Sequence, residues 1–171
     1  KWSLNPVKTQ NLVFKSLLES AQNTKFGRDH NFSSIHDHQD FVKNTPIRDY
    51  EGFKSYVDLI KKGKKNILWK GLPVYFAITS GTTSGIKYIP ITKESLPEHF
   101  NASKNAMLLY IKETGNTKLL SGKLIFLQGS PALDFEGVIK TGRLSGISAH
   151  HVPKYLQSNR LPTWETNCIE D

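Results

Sequence analysis

Tyr75-Phe76-Ala77-Ile78-Thr79-Ser80-Gly81-Thr82-Thr83-Ser84-Gly85-Ile86-Lys87-Tyr88-Ile89-Pro90 is the stretch whose reading decides the fold. An apolar, β-prone run feeds seven consecutive residues that are all Gly, Ser or Thr. A lysine and a second β-prone run follow. Small residues let backbone N–H groups approach a bound oxyanion, hydroxyls add donors, and the lysine adds charge. The same composition also fits an ordinary hairpin loop, although hairpins usually close with about two to five residues. Composition alone leaves both readings open.

The flanks narrow the choice. A Walker-type loop needs G-x-x-x-x-G-K-[ST] between a strand and a helix. Here three residues separate Gly81 from Gly85, and Ile86 intervenes before Lys87. The segment that follows is β-prone rather than helical, and no G-x-G-x-x-G is present. Any phosphate grip therefore belongs to a strand–loop–strand device.

Upstream, the pattern is helical. Asn5-Pro6 reads as an N-cap followed by proline at the first helical position. Val7, Val13, Phe14, Leu17, Leu18 and Ala21 share one face, and the helix is expected to end between Asn23 and Gly27. Ser34-Ile35-His36-Asp37 has the form of a capping box opening a short helix through Phe41 and Val42, which Thr45-Pro46 breaks. Asp49 is placed to cap a third helix that buries Phe53, Tyr56, Val57 and Ile60 and ends at Gly63. Downstream, Ser95-Leu96-Pro97-Glu98 is another capping-box pattern. It predicts a helix carrying Phe100, Met107, Leu108 and Ile111, mostly as core, and ending at Gly115. Lys123-Leu124-Ile125-Phe126-Leu127-Gln128 reads as a buried strand, broken by Gly129-Ser130-Pro131. From Val138 onward the chain reads as irregular. Helices first, then strands alternating with a helix, predict an α/β fold with helices packed on a sheet. Few convincing strands are readable, so the expectation is part of a larger domain.

The chain has 171 residues, of which 37% are hydrophobic and 22% charged, a composition of globular rather than disordered protein. No apolar run approaches the roughly 18 residues of a membrane span. Lys1-Trp2-Ser3-Leu4-Asn5-Pro6 lacks the apolar stretch of a secretory signal, and the single cysteine, Cys168, excludes an internal disulfide. The cytoplasm is the expected compartment. Net charge is +8 and the isoelectric point about 9.5, which fits an anionic ligand, a nucleic acid or an anionic surface. The densest basic group, Lys61, Lys62, Lys64 and Lys65, suits a helix C-terminus.

At the glycine loop the residues resemble a known family. Thr79-Ser80-Gly81-Thr82-Thr83-Ser84-Gly85-Ile86-Lys87-Tyr88-Ile89-Pro90 is similar to the first nucleotide-binding motif of the GH3 acyl-acid amido synthetases, members of the adenylate-forming superfamily. Pro46-Ile47-Arg48-Asp49-Tyr50-Glu51, Trp69-Lys70-Gly71-Leu72-Pro73 and Gly142-Arg143-Leu144-Ser145-Gly146-Ile147-Ser148-Ala149-His150-His151 resemble bacterial members, so the likeness covers nearly the whole chain. Plant members commonly carry one more residue between the second glycine and the lysine.

The resemblance implies the N-terminal part of the large domain of an adenylate-forming enzyme, residues 1–171, with helices on a mixed sheet and a phosphate-binding hairpin. It implies a ligase that activates a carboxylic acid with ATP and Mg2+, releases pyrophosphate, and passes the acyl group to an amino acid amine. Thr79, Ser80, Gly81, Thr82, Thr83, Ser84 and Gly85 would wrap the phosphates, and Lys87 would neutralise charge as pyrophosphate leaves. The motifs for adenine, ribose and the acidic metal ligand would lie in the remainder of the same polypeptide, so the chain alone would be inactive. Met107, Arg143, His150 and His151 would lie near the acyl acid, with no protein metal ligand in this stretch.

Read from the residues themselves, these side chains keep other roles open. Arg143 fits a bidentate carboxylate contact or a structural ion pair. Adjacent His150 and His151 point to opposite faces of an extended segment. His30, His36 and His38 lack metal-ligand spacing and read as a solvated helix start. An acyl-CoA ligase of the same superfamily shares the first half-reaction. A nucleic-acid-binding module using the lysines with Trp69, Tyr75 and Phe76 is the reading from another class, and no nucleic-acid or membrane partner is expected.

Overall fold

The computed structural model describes residues 4–79 and 85–169. It divides into two compact units, Lys1–Leu72 and Pro73–Asp171. No change in composition marks the join.

The first unit is helical. Helix α1 (Pro6–Ala21) starts with proline in its first turn, where a missing N–H costs nothing. Asn5 sits at the N-cap without a side-chain capping bond. Instead, its carbonyl accepts from the Thr9 N–H and hydroxyl, both at 3.0 Å. Only Leu18 and Ala21 of this helix are buried, in a core with Phe32 and Ile35 against which Phe14, Phe26, Phe41 and Trp69 pack. The expected apolar face is thus covered at its C-terminal end alone. Val7, Val13 and Leu17 remain more than half exposed, because the core of this unit meets only the last turns of the helix.

Thr24 then caps α2 (Lys25–Asp29). Its Oγ1 accepts from the Gly27 N–H at 2.9 Å and donates to the Ala21 carbonyl at 2.7 Å. The capping box expected at Ser34 forms three residues later. Ser34 belongs to a 3-10 turn (Phe32–Ser34). Asp37 Oδ1 accepts from the Asp40 N–H, and Asp40 Oδ2 accepts from the His36 N–H, opening α3 (His38–Asn44). A carboxylate reaches these amides as well as a serine hydroxyl would and brings a charge suited to a helix N-terminus. Asp49 Oδ1 accepts from the Gly52 N–H at 3.0 Å at the start of α4 (Glu51–Lys61), which buries Tyr56, Val57 and Ile60.

His30 corrects the solvated reading of its cluster. His36 and His38 are exposed, but His30 is 4% exposed and stacks on Phe26 at 4.0 Å. Its Nε2 faces an Arg48 guanidinium nitrogen at 3.0 Å, and its Nδ1 faces the Phe26 carbonyl at 2.8 Å. Arginine only donates, so Nε2 accepts and Nδ1 carries the proton. Arg48 lies eighteen positions along the chain, and nothing in the local sequence around His30 announces it.

The second unit is built on a four-stranded sheet in the order β2-β1-β5-β4. Strands β1 (Tyr75–Thr79) and β2 (Lys87–Ile91) form the expected antiparallel hairpin. Beside β1, and parallel to it, runs β5 (Ile139–Arg143), followed at the edge by antiparallel β4 (Asp134–Glu136). Strand β5 lies in the stretch read from sequence as irregular, from Val138 onward, and with β4 just before it supplies half of the sheet. Ile139, Thr141 and Gly142 are buried, with Lys140 and Arg143 exposed. Thr141 donates its hydroxyl to the Phe76 carbonyl at 3.1 Å. Ala77, Ile91 and Ile147 make the core, with Tyr75, Leu96 and Leu133 packed on it.

Two apolar segments fare differently from expectation. Helix α5 (Leu96–Thr114) ends at Gly115 as read, yet buries no residue among those described, and Leu108 is 52% exposed. Ser95 does not form the capping box. Its hydroxyl accepts from the Thr92 N–H and donates to the Thr92 carbonyl, both at 3.1 Å. The stretch expected as a buried strand yields only β3 (Leu124–Ile125), paired with β6 (Arg160–Leu161). Ile125 and Leu127 are 75% and 84% exposed. Apolar composition produces burial only where a second layer covers it, and this small two-stranded sheet has none among the described residues. Short helices α6 (Leu144–Ala149), α7 (Lys154–Gln157) and α8 (Trp164–Asn167) complete the unit. Among the described residues, no helix is long and apolar enough to cross a membrane.

Candidate functional site

The site is organised by the parallel pair β1/β5. Tyr75 is in register with Lys140 and Ile78 with Arg143, so both strands end on the same edge. In open α/β sheets, ligands gather outside the carboxyl ends of the strands. On this edge β1 gives way to the Gly/Ser/Thr loop, and β5 gives way to α6. Residues 80–84 of the loop lie outside the described residues. Its two ends are described. Thr79 is exposed and is the register partner of Lys87, which is half-buried. Gly85 has φ +80°, a left-handed conformation that glycine adopts without the cost borne by a side chain. The lysine is thereby held at the mouth of the loop by the hairpin ladder itself.

Arg143 stands on the same edge. Its aliphatic stem lies on Gly129, where an added Cβ would come within 2.5 Å of the Arg143 Cδ. The Gly129 N–H donates to the Ser145 hydroxyl at 3.0 Å. A Cβ on Gly146 would fall 2.1 Å from the Ser130 carbonyl oxygen, so the first turn of α6 rests directly on the Gly129-Ser130 backbone. Arg143, Gln128, Gly129, Ser130, Thr166 and Asn167 line an open cleft of about 520 Å³. Only Arg143 of these stands out in the sequence. The glycine pair was the available signal, since each marks a close backbone approach.

His151 stands at the other end of the strand pair. His151 Nε2 is 3.2 Å from the Tyr75 hydroxyl, at the start of β1. Four residues, roughly 13 Å of strand, separate Tyr75 from Thr79. The His151 ring also meets Phe100 of α5 at 5.1 Å. Partial desolvation, and then the neighbouring His150, hold the His151 imidazole below its ordinary pKa, which favours the neutral ring. His150 Nε2 donates to the Pro131 carbonyl at 2.7 Å, and its ring meets Trp164 edge-on at 4.8 Å. Met107 is half-buried on α5, two turns beyond Phe100. Of the side chains singled out from sequence, the fold groups Thr79, Gly85, Lys87 and Arg143 on one edge. It groups His151 with Tyr75 and Phe100 at the other, and sets His150 against Pro131 and Trp164.

Among the described residues, no cluster of three or more His, Cys, Asp or Glu is placed to hold a metal ion.

Comparison with known proteins agrees with this architecture. Residues 1–166 match the GH3 family N-terminal domain. An indole-3-acetic acid-amido synthetase, GH3.15 of Arabidopsis thaliana, is 34% identical over 109 residues, which span 62% of this chain and 18% of that protein. The solved structure of AtGH3.15 acyl acid amido synthetase in complex with 2,4-DB superposes with a TM-score of 0.72 at 25% identity. That match covers 94% of this chain and 28% of the other. A second GH3.15 acyl acid amido synthetase structure matches with a TM-score of 0.74 at 22% identity, over 98% of this chain and 28% of that one, and supports the fold. The chain thus spans less than a third of the relatives it matches. A family match over nearly its whole length, on a sheet with the same architecture, establishes that the chain belongs to the GH3 family.

Proposed function

We propose that this chain is the N-terminal part of an ATP-dependent acyl-acid amido synthetase. The full protein would join a small carboxylic acid to the amine of an amino acid, through an acyl-adenylate formed with loss of pyrophosphate. The observation that carries this reading is the placement of Lys87 opposite Thr79, at the mouth of a Gly/Ser/Thr loop, on the carboxyl edge of a parallel strand pair. Adenylyl transfer needs little covalent help and much charge stabilisation. In this proposal the backbone and hydroxyls of Thr79, Ser80, Gly81, Thr82, Thr83, Ser84 and Gly85 hold the β- and γ-phosphates. Lys87 supplies a fixed cation where charge accumulates as pyrophosphate departs.

Arg143, Met107, His150 and His151 form the proposed acyl-acid side. Contact between His151 and Phe100, which shares α5 with Met107, supports placing His151 and Met107 together, and Arg143 would meet the acid from the carboxyl edge of the strand pair. Mg2+ would enter bound to the ATP phosphates, where it adds charge neutralisation. The adenosine-binding groups and the acidic metal ligand are proposed to lie in the remainder of the polypeptide, and this stretch alone is proposed to be inactive. The cytoplasm is the proposed compartment, consistent with the single cysteine.

The test is acid-dependent exchange between pyrophosphate and ATP by the full-length protein, across a panel of aromatic and aliphatic acids. Exchange with at least one acid, followed by amide formation with an amino acid, is expected. Absence of exchange with every acid, by folded protein that binds ATP, overturns the reading.

A further inference from the structure

We infer that His30 and Arg48 form a proton-sensitive latch. It fastens residues 45–50 to the helical unit while the His30 ring is neutral, and lets them go when the ring takes a second proton. The device does not depend on the ligase reading, and it gives a role to residues 46–51, which that reading leaves without one.

His30 is 4% exposed, so its ring nitrogens find their partners within the protein. Nδ1 donates to the Phe26 carbonyl at 2.8 Å, and Nε2 accepts from Arg48 at 3.0 Å. The neutral ring has one acceptor, and Arg48 uses it. A proton on Nε2 removes that acceptor, turns an N–H toward the guanidinium N–H groups and sets two cations in contact. The latched form therefore binds one proton fewer than the released form, and acid favours release.

Apolar burial does not fasten the segment, because residues 46–49 are all exposed and Ile47 completely so. Arg48 is instead seated along its stem, since an added Cβ on Gly52 would come within 2.9 Å of the Arg48 Cβ. Asp49, the next residue, accepts from the Gly52 N–H at the start of α4. Freeing the guanidinium therefore loosens the first turn of α4 together with the segment before it.

The charged and titratable groups near the ring come from α2, α4 and the segment itself. On α2 stand Lys25, Arg28 and Asp29, on α4 Tyr56, and on the segment Arg48. The turn Phe32–Ser34, which approaches the ring through Phe32, carries no titratable side chain. Asp29 already receives the Lys25 ammonium and the Tyr56 hydroxyl. Lys25 and then Tyr56 hold its pKa below the ordinary value, so it stays ionised through mild acid. Its pull on an imidazolium is opposed by Lys25, Arg28 and Arg48, three cations around one committed carboxylate.

The test is amide hydrogen exchange in the full-length protein from pH 7.5 to pH 5.0, where histidines ordinarily titrate and most carboxylates do not. The readout is protection of the Gly52 and Phe53 amides, which are bonded to Asp49 Oδ1 and the Tyr50 carbonyl. Protection is taken relative to an unstructured peptide of the same sequence at the same pH, which cancels the chemical rate. Wild type is expected to lose about 10- to 100-fold of this protection by pH 5.0, while the amides of β1 keep theirs. Arg48→Met should show low protection at both pH values and no step between them. His30→Gln, whose amide oxygen accepts from Arg48 without titrating, should stay protected at both. Constant protection in wild type overturns the latch, as does loss that extends to β1. A step that persists in Arg48→Met, or in folded His30→Gln, assigns the titration to other groups, such as exposed His36 and His38, and overturns it as well. Should His30→Gln fail to fold, wild type and Arg48→Met decide the outcome.

Discussion

Lys87 is the register partner of Thr79 across the antiparallel pair β1–β2. The strand positions that flank the glycine-rich loop are therefore tied by a strand ladder, and the lysine stands on that ladder beside the loop. A cation mounted on a strand is positioned more sharply than one carried by the loop itself.

This relationship makes Lys87→Ala the most direct variant. Pyrophosphate exchange by the full-length protein with its cognate acid is expected to fall about 10²- to 10³-fold, the usual cost of removing one preorganised charge-stabilising group. The acid KM should change little. Exchange at the wild-type rate would remove Lys87 from the mechanism.

Gly85 sits at φ +80° with open space around it, since an added Cβ would meet nothing within 4 Å. Gly85→Ala therefore tests backbone conformation without a steric clash. Holding an L-residue in this region costs roughly 1–2 kcal/mol. We expect the loop to relax away from its geometry and the ATP KM to rise about tenfold, with the global melting temperature little changed. A variant with wild-type ATP kinetics would show that the left-handed conformation at Gly85 is not needed for binding.

Thr24 is 1% exposed and satisfies both the Gly27 N–H and the Ala21 carbonyl. Thr24→Ala leaves these groups without partners where water has little access. A loss of about 1–2 kcal/mol is expected in urea unfolding. Thr24→Ser keeps the hydroxyl and should recover most of it. Equal losses in both variants would assign the effect to the missing methyl group instead.

Tyr56 and Asp29 share one hydrogen bond, the Tyr56 hydroxyl donating to Asp29 Oδ2 at 2.8 Å, with Lys25 on the same carboxylate at 2.9 Å. Lys25 and then Tyr56 hold the Asp29 pKa below its ordinary value. Burial and then Asp29 hold the Tyr56 pKa above its own. The depressed carboxylate stabilises the fold above its ordinary pKa of about 3.9, and that share is lost as pH falls through the lower folded value. The raised phenol stabilises below its ordinary pKa of about 10, and that share is lost as pH rises through the higher folded value. Tyr56→Phe should therefore cost about 1 kcal/mol at neutral pH, and less at both extremes. A difference from wild type that stays constant from pH 3 to pH 11 would show that the bond is not coupled to the ionisation of Asp29 or Tyr56.

Much of this architecture is written locally. The hairpin, the helix starting at Pro6, the Asp49 cap, and the stops at Gly63 and Gly115 depend on residues a few positions apart, where dihedral preference and side-chain reach decide the outcome. The same holds for the exclusion of a Walker loop, because β2 follows Lys87 where a helix would be required. The capping motif at Asp37 was misplaced by three residues because serine and aspartate compete for the same amides, and only the packed turn selects between them.

What the tertiary structure alone decided lies in pairings between distant segments. Ile139-Lys140-Thr141-Gly142-Arg143 has too few large apolar residues to read as a strand, and becomes one because β1, more than sixty residues away, offers it a parallel edge. The reverse befell residues 124–127, which are apolar enough for a core but face no covering layer among the described residues. The sequence by itself determined the loop, its lysine and the strands that hold them, because those are near neighbours along the chain. Packing decided that Arg143 shares their edge, that His151 meets Tyr75 and Phe100 instead, and that Gly129 lies beneath the arginine stem. Such positions follow from long-range backbone pairing and close approach, which no local pattern of side chains specifies.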